Sequence, residues 1–220
     1  MRSIEVPAVS GDKTPDATFC RVRASKVSVA KLADIDVPEG LIASAREGVE
    51  GARARLYVAL APTTFGLIRR LVGTQAVAED LFQDTMMTIY EQLDAFRGEG
   101  PFGGWVRRIA VSKCLMYLRS PWHRARLRLA ADNESDLESL PSAVVQARPP
   151  ECLDVERALA TLSPTARAVV WLYEVEGYSH QEIAQAFGRT VSFSKSQLAR
   201  AHRRLREWFE PQSEGQSWVL

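Results

Sequence analysis

Between Arg70 and Arg97 stand five acidic side chains and no basic one: Glu79, Asp80, Asp84, Glu91 and Asp94. Between Glu99 and Asp132 the pattern inverts, with Arg107, Arg108, Lys113, Arg119, Arg124, Arg126 and Arg128 and no acid. A third zone from Thr190 to Arg206 carries Lys195, Arg200, Arg203, Arg204 and Arg206, again without an acid. The formal net charge of +1 conceals this segregation. Basic zones free of acid suit the neutralisation of phosphates, which supplies most non-specific affinity for nucleic acid. The acidic zone would be repelled by nucleic acid and suits a basic protein surface instead. Phe102, Trp105 and Tyr117 are interleaved with the first basic zone. A tryptophan on a helical stripe is more often part of a core.

Other chemistries have little support. No Ser/His/Asp, Cys/His, Walker-type or paired-carboxylate arrangement occurs at useful spacing, so no enzyme is expected. Cys20, Cys114 and Cys152 are far apart and odd in number, with no metal-ligand spacing; they read as reduced thiols, and no metal or cofactor is expected. The N-terminus lacks a signal-peptide core, being interrupted by Arg2, Glu5, Asp12, Lys13 and Asp16, and no run approaches the ~20 apolar residues of a membrane span. A cytoplasmic protein is expected.

The elements that must position these residues are helical, and an all-α fold of two small domains is expected. Residues 1–45 mix Pro7, Pro15, Pro38, Gly11 and Gly40 with short Val-rich runs and no period, and read as an extension that is partly disordered or packs opportunistically on the rest. A first helical block spans 46–128. There Phe82, Met86, Ile89, Leu93 and Phe96 recur at spacings of four and three, one apolar stripe of a helix. Gly98, Gly100 and Pro101 punctuate it before a second helix with Trp105, Ile109 and Leu115. Residues 129–152 hold Asp132, Glu134, Asp136, Glu138 and three prolines, an acidic extended linker.

The second block, 153–210, is punctuated more sharply. Ser163-Pro164 is an N-cap followed by proline at the first helical position. Gly177 is placed to end that helix in the left-handed conformation. Ser179-His180-Gln181-Glu182 has the form of a capping box. The helix it opens stops at Gly188, and Thr190 can cap the next, which carries Leu198, Ala201, Leu205 and Trp208 on one face. A short helix, a glycine turn and a basic second helix make a helix-turn-helix signature. Residues 211–220 form a tail.

Two sets of residues here resemble one known family. Ala78-Glu79-Asp80-Leu81-Phe82-Gln83-Asp84, then Leu93-Asp94-Ala95-Phe96-Arg97-Gly98-Glu99, then Phe102, Trp105 and Arg108-Ile109-Ala110 resemble region 2 of extracytoplasmic-function sigma factors of the sigma-70 family. Leu162-Ser163-Pro164, Glu176-Gly177-Tyr178-Ser179-His180-Gln181-Glu182-Ile183-Ala184 and the basic helix resemble region 4. The resemblance implies a factor that binds core RNA polymerase and directs promoter-specific initiation. Glu79, Asp80, Gln83 and Asp84 would dock on the polymerase β′ clamp, with region 4 on the β flap. Arg97, Phe102, Trp105, Arg108, Lys113, Tyr117 and Arg119 would bind and open the −10 element. Ser192, Ser194, Lys195, Gln197, Arg200 and Arg203 would meet the −35 element, the last two at phosphates. It also implies an anti-sigma partner, with the leader as another possible regulator, and a linker threading near the polymerase active-site and RNA-exit path.

The chain departs from the family pattern at particular places. Ser112 stands where members often have Asn, and Met116 where they often have Asp. Ser194-Lys195-Ser196-Gln197 replaces a common Val-Lys-Ser-Arg. Two rival readings stay open: a helix-turn-helix regulator that never binds polymerase, and a sigma-like regulator without initiation activity. The acidic helix discriminates against the first.

Overall fold

The computed structural model describes residues 31–121, 123 and 150–209, with side chains in the last stretch from Val155 onward. The linker at 129–152 therefore lies almost wholly outside the described residues, as do the tail at 211–220, Arg124, Arg126, Arg128 and the side chains of Cys20 and Cys152. Every element found in the described residues is helical.

The first group opens with a 3-10 turn, Leu32–Asp34, followed by α1 (Glu39–Arg46), α2 (Ala52–Val72), α3 (Gln75–Glu91), a second 3-10 turn (Leu93–Ala95) and α4 (Phe102–Arg119). Helix α2 is bounded by Gly51 and Gly73, both in the left-handed conformation that favours glycine. Its core side chains, Leu56, Leu60, Leu67, Ile68 and Leu71, are buried at helical spacing. Pro62 sits inside α2; it lacks the N–H that would bond the Val58 carbonyl. Val58 is among the most exposed apolar residues, so water can satisfy that group. On α3 the expected stripe holds: Met86 and Ile89 are buried, Leu93 continues it from the 3-10 turn, and Phe82 and Phe96 flank it half-buried.

The packing runs through the boundary expected at residue 45. Leu32, Val37, Ile42 and Ala45 are buried in the same core, and the first 3-10 turn packs on α4. At least from Leu32 onward, the leader is part of this bundle rather than an extension of it. Aperiodic 3-10 and extended segments carry no sequence period, which is why the pattern missed them.

The second group comprises α5 (Pro150–Ala160), α6 (Pro164–Val170) prolonged by a π turn (Trp171–Val175), α7 (His180–Phe187) and α8 (Val191–Phe209). Its caps follow the sequence. The Ala166 amide donates to Ser163 Oγ, and Gly177 and Gly188 are left-handed. The Glu182 amide donates to Ser179 Oγ while the Ser179 amide donates to Glu182 Oε2 at 2.8 Å, a complete capping box. The Phe193 amide donates to Thr190 Oγ1.

The two groups touch. Helix α2 packs on α6, and α4 on α7. The Arg70 guanidinium lies 5.0 Å from the centre of the Trp171 ring. Arg107 pairs with Glu176 at 3.5 Å, donates to its backbone carbonyl at 2.9 Å and lies over the Tyr178 ring. Gly73 is where the Arg167 guanidinium approaches the backbone, and a Cβ there would collide with it. Burial pushes the Arg167 pKa below its ordinary value.

Candidate nucleic-acid and protein interface

Helix α3 turns Val77, Ala78, Thr85, Met86 and Ile89 inward. The 3.6-residue period then sends Glu79, Asp80, Gln83 and Asp84 outward together, and all four are exposed. Because α3 begins at Gln75, Glu79 and Asp80 lie beyond the first turn, where attraction to the helix dipole has largely faded. Helix-end stabilisation therefore does not account for them. The Gln75 side chain donates to Glu79 Oε1 at 2.9 Å, and Lys113 Nζ donates to Asp84 Oδ2 at 2.7 Å. Met87, one turn on, is exposed. Tyr57, Phe65 and Phe82 meet edge to face beside this surface.

Helix α4 presents a different face on the other side of the Lys113–Asp84 pair. A groove of about 570 Å³ runs between α3 and α4, with Thr88 and Gln92 on one wall and Trp105, Arg108, Ile109, Ser112, Lys113 and Met116 on the other. Arg108, Ser112 and Met116 are exposed and Trp105 is half-buried. Phe102 was expected to stack on bases, but it is 5 % exposed and packed into a ring cluster, 5.0 Å from Phe96 and 5.4 Å from Trp105. As the first residue of α4 it begins the inward row Phe102, Val106, Ala110, Cys114 and Leu118. Its position is thus that of a support beneath Trp105. Arg97 is exposed beside Gly98 and Gly100, whose positive φ angles shape the loop before Pro101. Tyr117 is half-buried against His123, and Arg119 is exposed at the end of α4. Cys114 is fully buried, and burial pushes its thiol up to about 12, keeping it neutral and unreactive.

Helix α8 buries Ser194, Leu198, Ala201 and Leu205. That row corrects the expectation for Ser194, which does not reach outward. Its hydroxyl lies 3.0 Å from His180 Nδ1, buried where α7 and α8 meet. Ser192, Lys195, Arg200 and Arg203 are exposed, and Gln197 is half-buried on the flank. The Arg200 Nε–H donates to the Ser196 carbonyl at 3.2 Å. Farther along α8, His202 Nε2 lies 3.2 Å from Glu174 Oε1 of the π turn.

His180 stacks on Tyr173, with ring centres 4.4 Å apart. Its pKa is lowered, first by burial and then by Lys195, with Glu174 opposing. A histidine held below its ordinary value is neutral in the folded protein while the unfolded chain still binds a proton. Folding stability is therefore present above about pH 6.5 and lost as the pH falls through that window. Unfolding titrations between pH 7.5 and roughly pH 5 should show a downward slope that His180→Gln reduces; equal slopes in both proteins would refute this.

Sequence reasoning did not place Thr88, Gln92, Ile109, Ser112 and Met116 in a site. The signal was present: 105, 108, 109, 112 and 116 share one helical face. Ser112 and Met116 stood out only as departures from a pattern.

Residues 56–124 match the family model of sigma-70 region 2, and residues 152–205 that of sigma-70 region 4. Among curated proteins, the chain is 30% identical over 161 residues to the ECF RNA polymerase sigma factor SigE of Mycolicibacterium smegmatis, covering 70% of this chain and 60% of the relative. It is 32% identical over 145 residues to the RNA polymerase sigma-E factor of Streptomyces avermitilis, covering 64% of this chain and 76% of the relative. It thus spans less than two thirds of the length of the mycobacterial relative. Among solved structures, the sigma factor RpoE of Bartonella quintana, crystallised with the anti-sigma factor NepR, shares the fold with a TM-score of 0.51 and 24% identity, over 74% of this chain and 99% of that one.

Proposed function

The chain belongs to the sigma-70 family of RNA polymerase sigma factors, and on that premise we propose that it binds core RNA polymerase and directs promoter-specific initiation. Glu79, Asp80, Gln83 and Asp84 dock on the β′ clamp. Arg97, Trp105, Arg108, Lys113, Tyr117 and Arg119 hold the opened −10 strand, with Phe102 supporting Trp105 from inside. Ser192, Lys195, Gln197, Arg200 and Arg203 meet the −35 element, and the second helical group also contacts the β flap. An anti-sigma partner and a cytoplasmic location are proposed on the sequence resemblance. No helix among the described residues is long and apolar enough to cross a membrane.

The observation that carries this reading is the Lys113–Asp84 pair. It links an acidic face to a groove of about 570 Å³ that carries Arg108 and Lys113, on two helices packed side by side. Polymerase docking would then bring the groove to DNA in a fixed orientation. Phosphate contacts from Arg108 and Lys113 position the strand without reading it. The half-buried Trp105 offers a face for stacking, and stacking tolerates any base.

Run-off transcription with core enzyme on a genomic promoter library tests the proposal. Discrete transcripts that depend on the added protein are expected. Core binding without any transcript would instead favour a sigma-like regulator that lacks initiation activity, the reading that the recognition-helix departures at Ser194-Lys195-Ser196-Gln197 keep open. Absence of core binding would overturn the proposal altogether.

A further inference from the structure

The first turn of α4 is weak by itself. Its N-cap is Pro101, with no side-chain cap hydrogen bond, and Gly103 and Gly104 follow. Glycine inside a helix costs roughly 0.5–1 kcal/mol relative to alanine. Gly103 does not adopt a positive φ, so its backbone does not call for glycine. What calls for it is room: a Cβ on Gly103 would collide with the Leu32 carbonyl oxygen and lie 3.1 Å from that of Ile35. Leu32 is 1 % exposed, Val37 is buried nearby in sequence, and Ile35 is packed on the same core.

The same segment holds the other side of the ring cluster. Arg46, at the end of α1, donates from Nε to the Leu93 carbonyl at 3.0 Å and from Nη2 to that of Phe96. Its guanidinium also lies against the Phe96 ring. One stretch of leader and helix therefore fixes the turn that carries Phe102 and the loop that carries Phe96. Trp105, the wall of the groove, packs against both of those rings, which also touch each other.

We propose that residues 32–46 are a positioning strap for the nucleic-acid groove: Leu32 seated on Gly103 and Arg46 on Phe96 hold Trp105 in the orientation that receives an unpaired base. This rests on the reading of the groove given above. Leu32, Arg46 and Gly103 are positioning residues; none of them reaches the groove. The strap acts on strand capture and leaves the acidic face of α3 unchanged.

The test uses the full chain and two separate binding measurements: anisotropy with a fluorescein-labelled single-stranded DNA of mixed sequence, and affinity for core polymerase. Gly103→Ala removes the seat while strengthening the helix. Leu32→Asp places a carboxylate in the core that anchors the strap against α4, and Leu32→Met is the conservative control. Both disruptive variants should lose about tenfold in strand affinity, the value of one stacked base. Core affinity should stay unchanged, and Leu32→Met should behave as wild type. Arg108→Ala reports on the groove itself. If Arg108→Ala weakens strand binding and the two strap variants do not, the strap is refuted and the groove stands. If Arg108→Ala has no effect either, both fall. A parallel loss of strand and core affinity in both strap variants would reduce the strap to general stability and overturn the proposal.

Discussion

Asp80→Arg is expected to lower the affinity for core RNA polymerase by one to two orders of magnitude at physiological salt. Asp80 is exposed, and among the described residues it makes no ion pair, so its charge is available to a partner. Placing a like charge against a basic surface costs several kcal/mol, a penalty larger than that of simply removing the acid. Screening limits the reach: at 0.15 M salt the Debye length is about 8 Å, so only direct or near-direct neighbours feel the change fully. The effect should therefore grow at low salt.

Asp84→Arg will give a mixed result, because Asp84 already holds Lys113 at 2.7 Å. Reversal there also repels a cation at the groove, so strand binding changes along with docking. Asp94→Arg serves as the control for general field effects, since Asp94 lies on the 3-10 turn beyond α3. Competition binding with labelled wild-type protein separates these cases. Equal losses for Asp80→Arg and Asp94→Arg would mean that total charge, and not the face, determines affinity; no loss for Asp80→Arg would remove the face from the interface.

The features that were legible in the sequence are those written locally. The capping box at Ser179 and Glu182 spans four residues and needs no knowledge of the rest of the chain. The acidic face of α3 follows from one helical period. Ser194 was misplaced although its signal was local too: counting back from Leu198, Ala201 and Leu205 at the same spacing reaches it, and a polar residue type disguised a core position. Phe102 failed similarly, being read by its ring chemistry before its place in the row ending at Leu118. The strap was illegible for a different reason. Gly103 is small because of a carbonyl some seventy residues earlier in the chain, and no periodicity encodes such a contact.

The contact between the two helical groups is also non-local, and it yields the second large effect. Arg107→Ala should destabilise the closed arrangement by about 2 kcal/mol, below the 3–5 kcal/mol typical of breaking a buried pair because Arg107 is partly hydrated. Glu176 is 7 % exposed and faces Arg107 from 69 residues away in sequence. Without Arg107 its carboxylate would remain buried with neither the cation nor the guanidinium hydrogen bond to its carbonyl. If the two groups part, α4 and α7 each keep their own helical hydrogen bonds and Glu176 reaches water. The cost is then bounded by the free energy of the contact, which Arg70 on Trp171 and Arg167 beside Gly73 also supply. The expected signature is a larger radius of gyration in solution scattering with unchanged helix content by circular dichroism. A compact variant that melts as one unit at lower temperature would show that the groups do not separate. Wild-type dimensions and stability would show that Arg107 contributes nothing to the contact.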